Sequence, residues 1–125
     1  DLHSFPTRRS SDLGYCHQAE SAEKILALNG IAFVSTRDDN AKRYLFSAEP
    51  SVKIVSMFSS KGLEFDTVFI AHLNQMPNQK MELESEARLL YVAMTRAIET
   101  LVFTYHGSSE FTERVRQAIA HADTL

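Results

Sequence analysis

The chain has 125 residues, 44% of them hydrophobic, with a formal net charge of −3 and an isoelectric point near 5.9. That length suits one packed core and is too short for a two-lobed motor; the slightly acidic balance excludes a general affinity for polyanions, so any contact with nucleic acid or an anionic membrane has to be local. One cysteine, Cys16, excludes an internal disulfide, and with no apolar run near the ~18 residues of a membrane span and no signal-peptide pattern, the expected setting is soluble and cytoplasmic, without a membrane partner.

Residues 1–13 have neither helical nor strand period and carry Pro6, Arg8, Arg9 and three serines. Composition reads them as a disordered tail. From His3 to Leu13 they also resemble the in-frame translation of a sequencing-adapter oligonucleotide. They are expected to be an artefact outside the folded part, leaving residues 14–125 as a fragment of a longer reading frame. Arg8 and Arg9 fall short of the longer basic runs that support a nucleic-acid arm.

From about His17 to Leu28, Ala19, Ala22, Ile25, Leu26 and Leu28 recur mostly at three- and four-residue spacing, and Asn29-Gly30 follows. This predicts a helix ending in a left-handed cap, although Asn-Gly also suits a hairpin turn. Ile31 to Val34 is then a short strand, and Thr36 to Pro50 a polar connection with a helical turn near Ala41 to Phe46. Val52 to Phe58 and Thr67 to Ala71 are short apolar runs of the kind found in parallel strands buried on both faces. Between them lies a polar turn with Gly62 as its permissive backbone position. In parallel sheets ligands gather at the carboxyl ends of strands, where this turn is expected.

Spacing alone leaves two readings of that turn. Ser59, Ser60, Lys61 and Glu64 offer hydroxyls, a cation and a carboxylate, a set able to meet a phosphate and a sugar. The plainer reading is a solvated turn with a local Lys-Glu pair. After a loop containing Pro77, Glu82 to Ala97 is the strongest helix, with Leu83, Ala87, Leu90, Tyr91 and Met94 on one face. Glu82, Glu84 and Glu86 sit in its first turns, where the helix dipole favours negative charge. Arg96 falls at its end, just before the strand Ile98 to Tyr105, and its guanidinium fork suits phosphate oxygens. Ser109 then opens a last helix with Phe111, Val115, Ala118, Ile119 and Ala122 as the expected buried stripe. The order of elements predicts an α/β fold, a parallel sheet flanked by helices. His17, His72, His106 and His121 show no ligand spacing, so no metal site is expected.

Two blocks, VKIVSMFSSKGLEFDTVFI from Val52 to Ile70 and ESEARLLYVAMTRAIETLVFT from Glu84 to Thr104, resemble motifs V and VI of the UvrD/Rep family of superfamily 1 DNA helicases. The resemblance covers residues 52–104 and implies part of the second, C-terminal RecA-like lobe of that family, a P-loop NTPase-like fold. It implies ATP with Mg²⁺ as cofactor of the intact parent, single-stranded DNA as partner, and a missing N-terminal RecA-like lobe of the same parent chain. By position, it implies that Glu64 holds the nucleotide's sugar, that Arg96 reaches the terminal phosphate from across the cleft between lobes, and that Lys61 and Gly62 shape a loop between nucleotide and DNA. Ser56, Ser59 and Ser60 would meet DNA phosphates. Phe58 stands where the family usually has a histidine; it cannot hydrogen-bond a phosphate but can stack on a base. No G-x-x-x-x-G-K-S/T loop and no acidic metal-binding strand occurs, so the fragment is expected to hold half an ATP site and to be inactive alone. The alternative is a non-catalytic RecA-like module that binds a partner or a nucleic acid.

Overall fold

Parallel strand pairing organises both halves of the chain. The computed structural model describes residues 10–35, 50–79 and 81–125, and the chain divides into two compact units, Asp1–Ser59 and Ser60–Leu125. Among the described residues the fold is mixed α/β, with three α-helices and parallel strands. Among the described residues no helix is long and apolar enough to cross a membrane.

In the first unit, helix α1 (Ser10–Leu28) leads to strand β1 (Phe33–Ser35), which pairs in parallel with β2 (Val52–Ile54). The register sets Phe33 opposite Val52 and Ser35 opposite Ile54. α1 starts at Ser10, inside the stretch 1–13 expected to be a disordered tail, of which residues 1–9 lie outside the described residues, and it stops where Asn29-Gly30 predicts. Gly30 is left-handed, with φ +67°. Its N–H donates to the Ala27 carbonyl at 3.1 Å and the Ile31 N–H to the Leu26 carbonyl at 2.9 Å, the paired bonds of a left-handed cap that satisfy the last free carbonyls. The hairpin reading of Asn29-Gly30 is thereby excluded. Of the expected stripe, Ala19 is buried, whereas Leu28 is 87% exposed. The helical turn expected near Ala41 to Phe46 lies outside the described residues.

The apolar run from Val52 does not continue as a strand to Phe58. β2 ends at Ile54, and Phe58–Ser60 is a single 3₁₀ turn. The physical reason is Ser56, whose carbonyl and hydroxyl both accept the Ser59 N–H, at 3.0 and 3.1 Å, and so draw the backbone out of the extended form.

The second unit contains β3 (Phe65–Ile70), α2 (Leu83–Met94), β4 (Ala97–Phe103) and α3 (Glu110–Asp123). β3 pairs in parallel with β4, with Thr67 opposite Thr100 and Ile70 opposite Phe103. β3 therefore pairs with β4 and β2 with β1. The crossover between the paired strands, residues 71–96, holds α2 and has the length a parallel connection needs.

α2 packs on β3 and β4, and the residues it buries are Glu86, Leu90 and Ala93. The expected stripe is rotated: Leu90 is shared, but Tyr91 is 65% exposed and Leu83 is exposed too. Glu86 turns inward because the loop after β3 needs an acceptor. The Asn78 N–H donates to its Oε1 at 2.8 Å, while Oε2 is buried with no hydrogen-bond partner. α3 begins with a reciprocal cap: the Thr112 N–H donates to Ser109 Oγ at 3.2 Å and the Ser109 N–H to Thr112 Oγ1 at 2.7 Å. Its first turn docks on a 3₁₀ turn, Leu73–Gln75, burying Phe111, Thr112 and Leu73. Further along, Ile119 and Ala122 are exposed rather than buried.

Candidate functional site

Two segments that are far apart in sequence meet at the amino ends of β3 and β4. Leu63 and Glu64 lead into β3; Thr95 and Arg96 lead from α2 into β4. The Phe65 N–H donates to the Arg96 carbonyl at 2.9 Å, so strand pairing alone sets Arg96 beside the loop.

The end of α2 determines where the Arg96 side chain goes. A helix leaves its last carbonyls without intrahelical donors. Here the Thr95 N–H reaches the Tyr91 carbonyl at 3.0 Å, but the Arg96 N–H bonds Ala93 at 3.2 Å, which leaves the Val92 carbonyl without its usual partner. Two side chains supply it: the Thr95 hydroxyl donates at 2.9 Å and Arg96 Nε at 3.0 Å. A cation at a helix carboxyl end is also favoured by the dipole. Nη2 of Arg96 donates to Thr95 Oγ1 at 3.2 Å, and Nη1 reaches the Leu63 carbonyl, also at 3.2 Å. A guanidinium has five N–H groups. Three are engaged here, leaving one on each terminal nitrogen.

The loop that supplies the Leu63 carbonyl is a tight turn. The Leu63 N–H donates to the Ser60 carbonyl at 3.0 Å, and Gly62 has φ +82°, the left-handed value that the third position of a type II turn requires. Leu63 is buried, while Lys61 and Glu64 are exposed. The local Lys61-Glu64 pair is not formed among the described residues. Lys61, Gly62, Glu64 and Arg96 are thus brought to one strand edge. Ser56, Phe58 and Ser59 belong to the other unit. There the Ser56 hydroxyl donates to Ser59 Oγ at 3.0 Å, Phe58 is half-buried, and Ser60, the first residue of the second unit, is buried.

The guanidinium and the loop meet at the amino ends of β3 and β4, because the turn is anchored to the strand that follows it. Among the described residues no group of three or more His, Cys, Asp or Glu side chains could hold a metal ion.

A family model for the UvrD-like helicase C-terminal domain matches residues 11–108, a range that includes the Gly62 turn, α2 and Arg96. The chain belongs to this family. Among relatives of this UvrD-like domain, the ATP-dependent DNA helicase Rep of Buchnera aphidicola subsp. Schizaphis graminum is 48% identical over 60 residues, 43% of this chain and 9% of that protein. DNA helicase II of Escherichia coli K12 is 39% identical over 64 residues, 46% of this chain and 9% of that protein. The ATP-dependent DNA helicase PcrA of Staphylococcus aureus Mu50 is 38% identical over 69 residues, 48% of this chain and 10% of that protein. The chain therefore spans about a tenth of the length of the curated relatives it matches. A crystal structure of the C-terminal domain of a possible DNA helicase from a Lactobacillus, strain WCFS1, shares 25% identity at a TM-score of 0.47, over 83% of this chain and 74% of that one.

Sequence reasoning singled out Arg96 and the turn but missed what joins them in the UvrD-like domain. Thr95 and the Val92 and Leu63 carbonyls are all in contact with the guanidinium. Thr95 had a local signal, a hydroxyl three residues after Val92 at a helix end. The Leu63 contact spans 33 positions and has none.

Proposed function

We propose that the chain is a fragment of an ATP-dependent DNA helicase of the UvrD type, in which residues 14–125 form part of the second RecA-like lobe and one wall of the ATP site. The observation that carries this reading is the Arg96 guanidinium, bonded to the Leu63 carbonyl and so joining the two motif blocks at one strand edge with two N–H donors to spare. Those residues fit the sugar and phosphate of a nucleotide. Arg96 would offer its two remaining donors to oxygens of the terminal phosphate, where a fixed fork stabilises charge that builds during phosphoryl transfer. Glu64, an exposed carboxylate one residue after Leu63, would accept hydrogen bonds from the ribose hydroxyls. Lys61 would neutralise a phosphate, and Gly62 would hold the turn that orients both.

Mg²⁺ would neutralise phosphate charge in the intact parent. Its ligands and the phosphate loop belong to the N-terminal RecA-like lobe, the partner this site lacks, so the fragment alone is inactive. Single-stranded DNA is the proposed second partner, met by Ser56, Ser59, Ser60 and Lys61, with Phe58 stacking on a base in place of a phosphate contact.

The test is Arg96→Ala in the intact parent. ATP turnover should fall by about three to five powers of ten, as when an arginine finger is removed from related phosphoryl-transfer sites, while substantial nucleotide affinity remains. Normal turnover in that variant rules the assignment out.

A further inference from the structure

We infer that Thr95 is the positioning residue for Arg96, its hydroxyl fixing the guanidinium so that one N–H on each terminal nitrogen stays available to an outside oxyanion. The argument is one of hydrogen-bond direction. Thr95 Oγ1 lies 2.9 Å from the Val92 carbonyl, which can only accept, so the hydroxyl proton is committed there. Its lone pairs then face Nη2 of Arg96, at 3.2 Å, as an acceptor. Arg96 Nε completes the ring by donating to the same Val92 carbonyl at 3.0 Å. Each polarity in the ring dictates the next, and no other rotation of the hydroxyl satisfies both of its partners. The Leu63 carbonyl takes a further N–H from Nη1 on the loop side. The guanidinium is thus held from α2 by a side chain and from the turn before β3 by a backbone carbonyl.

A structural cap alone would account for the Thr95–Val92 bond, since a hydroxyl at a helix end commonly bonds the preceding turn. It would not account for the second role of the same oxygen as acceptor from a cation. What the two spare donors are for rests on the nucleotide-site reading above; the positioning role does not.

The experiment is nitrogen-resolved NMR of the full 125-residue chain, following exchange of the arginine Nε protons, with Arg96→Lys identifying the Arg96 signal. Arg88, whose side chain is 72% exposed, is the internal reference. Arg96 Nε–H should exchange about five- to tenfold more slowly than Arg88 Nε–H, the effect of one net hydrogen bond. Thr95→Val keeps shape and β-branching but removes the acceptor of Nη2; the Nε–Val92 bond remains possible, but the guanidinium is no longer held in the orientation that keeps it, so most of that protection should be lost with the backbone amide spectrum unchanged. Thr95→Ser restores the hydroxyl and should restore the protection. Equal protection in wild type and Thr95→Val overturns the inference. Should Thr95→Val fail to fold, wild type and Thr95→Ser still decide, because an Arg96 Nε–H no better protected than Arg88 in both overturns it equally. Titration with inorganic pyrophosphate separates the two readings: a protected Arg96 signal that pyrophosphate does not shift retains the positioning role and overturns the phosphate-facing one.

Discussion

Gly62 offers the cleanest energetic test of the turn that carries the site. Its φ is +82°, and a Cβ built on it would meet nothing within 4 Å. Steric crowding of a Cβ therefore contributes nothing here, and for alanine only the backbone dihedral remains. Alanine in the left-handed region costs about 1–2 kcal/mol. Reduced freedom of the unfolded chain returns roughly 0.4–1 kcal/mol of that, so Gly62→Ala should destabilise by about 1 kcal/mol. Asparagine tolerates the same region through local hydrogen bonding, so Gly62→Asn should cost clearly less, although its side chain is larger. The assay is urea unfolding followed by circular dichroism. With a slope of about 2 kcal/mol/M, the alanine midpoint should fall by roughly 0.5 M and the asparagine midpoint by much less. An asparagine variant less stable than the alanine one would refute the reasoning, since that order requires crowding that the turn does not have.

Two further substitutions probe the frame around the site. Ser109→Ala removes the acceptor for the Thr112 N–H and should cost about 1 kcal/mol, with Ser109→Asp retaining most of the stability; an unchanged urea midpoint in the alanine variant would discount the cap. Glu86→Ala removes the acceptor of the Asn78 N–H and leaves a cavity where the buried Glu86 side chain was, for a loss of about 2–3 kcal/mol, whereas Glu86→Gln keeps shape and one acceptor and should stay within about 1 kcal/mol. A glutamine variant as damaged as the alanine one would show that the charge, and not the acceptor, matters.

Those residues also mark what could be read from the sequence. Local chemistry was legible: Asn29-Gly30 ended α1 with paired backbone bonds, Ser109 opened α3, and the strand-helix-strand order around α2 became a parallel pair with its crossover. Non-local demands were not. The stripe from Leu83 to Met94 is the widest apolar face of α2, yet Glu86 was turned inward by an N–H in the loop before it. Val52 to Phe58 has strand composition, but Ser56 captures the Ser59 N–H and ends the extended form. Pairing of β2 with β1 and of β3 with β4 depends on the crossovers, which periodicity does not report. At the site, residue types at the right spacing identified the turn and Arg96, whereas the acceptors that hold Arg96 are backbone carbonyls, which every residue carries.

The three bonds on Arg96 also have an entropic consequence. A free arginine side chain carries about 2 kcal/mol of rotamer entropy, which an exposed one loses anew each time it clasps an anion. In this chain much of that loss occurs on folding, when Val92, Thr95 and Leu63 take up Nε, Nη2 and Nη1. An acceptor arriving at the remaining donors meets a side chain that is already ordered. Lysine at the same position would keep the charge but not the fork, and would have to be ordered at every encounter.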